Sequence, residues 1–91
     1  MIVIEDMASF KNVNAAGFEE IKTGLKKLFN ITPYPSNDES VIESFDIVSL
    51  GFKFSITYYK TGTLLVQGDE THEDFQIIIR FIEFYLESLT S

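Results

Sequence analysis

The stretch from Phe52 to Gly68 constrains the fold more than any other part of the chain. Phe52, Phe54, Ile56 and Tyr58 alternate with Lys53, Ser55, Thr57 and Tyr59, the period of two that sets one side of a strand into a core and leaves the other in solvent. Leu64-Leu65-Val66-Gln67-Gly68 offers the return strand. A two-residue Thr61-Gly62 turn would oppose Tyr58 to Leu65 and Ile56 to Gln67, a polar residue against a core residue. A three-residue Lys60-Thr61-Gly62 loop opposes Tyr58 to Leu64, Thr57 to Leu65, Ile56 to Val66 and Ser55 to Gln67, and keeps the aliphatic side continuous. The longer loop is therefore expected, with Gly62 taking the left-handed backbone of a bulge. Gly68 is read as a second turn glycine.

A half-buried hairpin needs a cover, and two segments can supply it. Phe18, Ile21, Leu25, Leu28 and Phe29 recur at helical spacing behind Asn14, a good N-cap, with Glu19 and Glu20 early and Lys26 and Lys27 late. Gly17 and Gly24 each weaken such a helix by about 1 kcal/mol relative to Ala, so packing must hold it. A second helix is expected from Thr71, as N-cap with Asp74 completing a capping box, to about Leu89. Its wheel puts Phe75, Ile78, Ile79, Ile82, Tyr85, Leu86 and Leu89 toward the sheet and Glu73, Gln76, Arg80, Glu83 and Glu87 in one polar stripe.

Ile77, Phe81 and Phe84 form a second apolar flank, which widens the apolar arc to roughly 220°, beyond the ~100° a surface helix needs. Either Met7, Phe10 and Val13 cover that flank, or it is buried by a protein partner or a symmetric copy.

Elsewhere the pattern is thinner. Ile2-Val3-Ile4 reads as a short strand, Thr32 to Ser40 as a loop, and Val41, Phe45 and Ile47 as a strand that breaks near Leu50-Gly51. Ninety-one residues, 45% apolar and 23% charged, suit one core and one domain over residues 1–91. The expected class is α+β, a curved antiparallel sheet packed against two helices. The apolar run Ile77 to Leu86 contains Arg80 and Glu83 and is too short to span a bilayer. No basic leader precedes the first apolar residues, and there is no cysteine, so a cytoplasmic, disulfide-free protein is expected.

Chemistry is hard to place on these residues. His72 is the lone histidine, set among Asp69, Glu70, Glu73 and Asp74. Carboxylates there suit a helix N-terminus, and a single surface histidine is expected to be solvated rather than to bind metal. Glu5-Asp6, Glu19-Glu20 and Asp38-Glu39 are sequence neighbours that point apart. With no phosphate-binding glycine loop and no nucleophile elbow, no catalytic residue, metal or cofactor is expected.

The hairpin's outward side is the better candidate. Lys53, Ser55, Thr57, Tyr59, Leu65 and Gln67, with Thr63 and Lys60 toward the loop, make a nearly neutral, hydroxyl-rich surface able to meet a protein or a nucleic-acid backbone. The run Tyr59-Lys60-Thr61-Gly62-Thr63-Leu64-Leu65-Val66-Gln67-Gly68 resembles the hairpin of TATA-box-binding-protein-like (TBP-like) domains, and is similar to the N-terminal substrate-binding domain of ribonuclease HIII. The resemblance implies a single TBP-like repeat whose open sheet face contacts nucleic acid in several relatives. Tyr59, Thr61, Gly62, Gln67 and Gly68 carry over, but Thr63 stands where that pattern has lysine.

The formal net charge is −7, which repels a phosphate backbone. The expectation is thus a non-catalytic module for protein–protein interaction or self-association, a homodimer included, with regulation of a nucleic-acid-handling system as one role open to it. Weak binding of single strands or RNA/DNA hybrids through the open sheet face is the alternative. An acidic inhibitor occupying a basic nucleic-acid channel is the third.

Overall fold

In the computed structural model, which describes residues 6–69 and 71–90, β4 (Phe52–Tyr59) and β5 (Leu64–Gly68) form the expected hairpin. Ser55 pairs with Gln67, Ile56 with Val66, Thr57 with Leu65 and Tyr58 with Leu64. The Tyr59 N–H donates to the Thr63 carbonyl and the Gly62 N–H to the Tyr59 carbonyl, both at 2.9 Å. These bonds close the three-residue loop, and Gly62 sits at φ +86°, where a Cβ is disfavoured.

β3 (Val41–Ser49) pairs antiparallel with β4, with a register shift between Val41 and Glu43. Leu50 and Gly51 alone join them, both at positive φ (50° and 83°), as a two-residue turn that follows the twist of its strands requires. Two strands were not read from the sequence. β1 (Asp6–Phe10) pairs with β5, and β2 (Asn30–Pro33) with β3, giving an antiparallel sheet ordered β1-β5-β4-β3-β2. The expected loop thus starts later than Thr32: Thr32 and Pro33 pair with Asp46 and Phe45. Pro33 fits because β2 is an edge strand, where a missing N–H can face away from the ladder. The Ile2–Ile4 strand expectation lies outside the described residues.

α1 (Ala15–Leu28) and α2 (Glu73–Thr90) cover one face of this sheet. Phe18, Ile21 and Leu25 from α1 and Phe75, Ile78 and Ile82 from α2 join Phe45, Ile47, Phe54, Ile56, Tyr58, Leu64 and Val66 in one buried cluster. Asn14 caps α1 as expected, its side chain accepting the Gly17 N–H at 2.7 Å. Phe18 stacks on Tyr58 with ring centroids 4.3 Å apart. The Tyr58 hydroxyl donates to the Val13 carbonyl at 2.5 Å, and the Val13 N–H donates to Gly62 at 2.9 Å. One connector therefore ties β1, α1 and the β4–β5 loop together.

Two glycines have packing roles. The Phe81 ring lies where a Cβ on Gly24 would project, and the Phe54 ring where one on Gly68 would. Gly68 is thereby corrected from a turn residue to a strand residue, the last of β5, which lets the fully buried Phe54 lie against the backbone.

Candidate binding faces

With both helices on one side, the register alone fixes what the other side presents. Met7, Gln67, Ser55, Asp46 and Thr32 are consecutive cross-strand neighbours in one row, and Ser9, Leu65, Thr57 and Ser44 in the next. Lys53 pairs with Val48 and Val48 with Asn30 in a third. Each of the sequence-identified residues Lys53, Ser55, Thr57, Tyr59, Leu65 and Gln67 stands on this open face, and Lys60 is exposed in the loop at its rim. The contributions of β1, β2 and β3 were missed. β1 has little hydrophobic contrast between its sides, with Ala8 and Phe10 inward against Met7 and Ser9 outward, and the irregularity after Val41 breaks the period of β3.

Polar groups on the face are arranged in pairs. The Ser55 hydroxyl donates to Asp46 Oδ1 at 3.0 Å, Gln67 Nε2 approaches the Met7 sulfur at 3.4 Å, and the Ser44 hydroxyl donates to the Tyr34 carbonyl at 2.5 Å. Lys53, Ser55, Gln67 and Gly68 line a shallow depression of about 110 Å³. Asp46 and Lys53 are the charged residues of these three rows, so the face is close to neutral although the chain carries −7. A larger recess of about 270 Å³ lies between Pro33–Ser36 and Val41–Ser44. Its carboxylate, Glu43, is already engaged by Lys22 at 2.8 Å.

The second candidate face, on α2, is divided. Phe81 is half-buried against Gly24, whereas Ile77 is 42% and Phe84 76% exposed. Of the residues expected to cover this flank, Met7 lies on the opposite side of the sheet, Val13 is buried beneath Tyr58, and Phe10 faces the helices and packs against the core, which leaves Ile77 and Phe84 exposed. The polar stripe Glu73, Gln76, Arg80, Glu83 and Glu87 is exposed as expected.

The acidic cluster before α2 is structural, with one correction. His72, not Thr71, precedes the helix as its cap, with Nδ1 accepting the Asp74 N–H at 3.1 Å. Thr71 is drawn instead to Asp69, whose Oδ1 accepts the Thr71 N–H at 2.9 Å and its hydroxyl at 2.5 Å. Those two bonds, the hydroxyl's first, hold the Asp69 carboxyl below the usual range, with the nearby His72 charge adding to them. Nor is His72 a solvated residue. Its side chain is 16% exposed, its ring centroid lies 4.1 Å from that of Phe52, and the Ser49 hydroxyl bonds Asp74 beside it. The cluster fastens the β3–β4 turn to α2.

Among the described residues no group of three His, Cys, Asp or Glu side chains is placed to hold a metal ion, and no helix is long and apolar enough to cross a membrane. Compared with protein-family models, curated proteins and solved structures, the chain matches none, so its own geometry carries the functional reading.

Proposed function

We propose that this chain is a non-catalytic binding module that engages a protein partner through the open face of its sheet. The observation that carries this reading is the neutrality of that face in a chain of net charge −7. Its rows mix hydroxyls and amides with Met7, Leu65, Tyr59 and Val48 on a rigid five-stranded platform. Such a surface can exchange water for a partner without burying unpaired charge. Met7, 65% exposed, and Val48, 46% exposed, are apolar area a partner would cover.

The same face favours a second reading, weak nucleic-acid binding, because Asp46 is its lone carboxylate in these rows and is bonded by Ser55. Tyr59 could stack on a base while Lys53 and Lys60 meet phosphates, as the TBP-like resemblance implies. A titration against single strands, duplexes and RNA–DNA hybrids over a range of salt separates the two. The protein-binding reading expects no affinity. Binding that falls as salt rises and is lost on Lys53→Ala with Lys60→Ala would replace it with the second. For the protein partner, Thr57→Arg at the centre of the face should abolish capture while leaving the unfolding midpoint unchanged.

A further inference from the structure

The outer side of α2 joins an apolar row to a row of alternating charge. Ile77 and Phe84 stand seven residues apart, two turns along one line of the helix, and both are exposed. Beside them Glu73, Arg80 and Glu87 repeat at the same seven-residue interval with signs −, +, −, and all three are exposed. An apolar row flanked by charges at heptad spacing is what one helix presents to another.

The order of charges selects the occupant. A uniformly basic helix would meet Arg80 in the middle of the row, and a uniformly acidic one would meet Glu73 and Glu87. A second α2 running antiparallel about a two-fold axis at Phe84 meets neither obstacle. Arg80 then faces Ser88 of the second copy, one residue from Glu87, and the symmetry repeats that pair on the other side of the axis. We propose that α2 is the self-association surface of this chain, with Phe84 packing on its symmetry mate and two Arg80–Glu87 pairs fixing the register. The apolar contact supplies the affinity. The rim charges supply the alignment, since exposed ion pairs add little energy.

This names one partner of the binding module proposed above, but it uses the face opposite to the open sheet. Sedimentation equilibrium of the full chain at micromolar concentration and moderate salt should show a monomer–dimer equilibrium. Phe84→Ser should raise the dissociation constant at least about tenfold, a change of ~1.4 kcal/mol, while the unfolding midpoint measured at dilutions where both proteins are monomeric stays unchanged, because the residue it replaces is exposed in the monomer. Arg80→Glu and Glu87→Arg should each weaken the dimer, the first by opposing Glu to Glu and the second Arg to Arg. Mixed in equal amounts they should associate as a heterodimer, because each then meets the opposite sign. A monomeric wild type, a dimer indifferent to Phe84→Ser, or a mixture that stays monomeric overturns the proposal. None of those outcomes bears on the open sheet face, which Thr57→Arg tests separately.

Discussion

Gly24 of α1 and Phe81 of α2 share one space: the aromatic ring fills the volume a Cβ on the glycine would need. Gly24→Ala improves helix propensity by about 1 kcal/mol, but overpacking of an occupied site costs roughly 1–3 kcal/mol. We expect Gly24→Ala to destabilise the protein by about 1 kcal/mol in the native background. In Phe81→Ala the ring is gone and the same change should stabilise by a similar amount. Urea unfolding of the four proteins checks this, and equal effects in both backgrounds would refute the packing role.

Gly68 presses against a less forgiving neighbour, because Phe54 is fully buried whereas Phe81 is half-exposed. A Cβ there has to move a core ring rather than the end of a surface one. Gly68→Ala should therefore cost more than Gly24→Ala, on the order of 2–3 kcal/mol. The measurement is the shift in urea midpoint at constant slope.

Tyr58 Oη and the Val13 carbonyl form a buried hydrogen bond in a region where the Val13 N–H also holds the Gly62 carbonyl. Tyr58→Phe keeps the stacking on Phe18 and removes only the donor, so the carbonyl loses a partner and stability should fall by about 1–3 kcal/mol. Gly62→Ala should cost about 1–2 kcal/mol through the left-handed backbone alone. Because both changes loosen one connector, the double variant should cost less than the two added together.

What the sequence revealed follows from where its period was unbroken. The β4–β5 register was readable because one alternative placed Gln67 against Ile56, a mistake a buried face does not tolerate. β1 was not readable, since Ala8 and Ser9 carry little hydrophobic contrast and pairing with β5 is a long-range contact. β2 hid behind Thr32-Pro33, which reads as loop until the sheet edge is known. The open-face residues of β4 and β5 were legible from alternation. The division of the α2 flank was not, because it depends on Gly24, a residue that looked like a local weakness and is a packing site. His72 was misjudged for a related reason: its burial comes from Phe52 and Phe54, contacts made across the fold rather than along the chain.

Lys22 predicts the alkaline limb of stability. Its Nζ lies 2.8 Å from Glu43 on β3 and 3.1 Å from Glu19, with the side chain 16% exposed. The hydrogen bond to Glu43 raises its pKa most; burial opposes this, and Glu19 adds to the rise, leaving the group above its ordinary 10.5. Since the folded value exceeds the unfolded one, folding favours the protonated amine. The associated stability is complete below the unfolded pKa and disappears as pH rises through the folded one. The urea midpoint should therefore hold steady for this group up to about pH 9.5 and drop above it. The test is a difference that isolates this one group. Lys22→Met should be less stable than the native chain near neutral pH, and the gap should close as the pH rises through the folded pKa of Lys22, above its ordinary 10.5. A gap that stays constant to the alkaline end would show that Lys22 acts through its packing over Phe18 rather than through its charge.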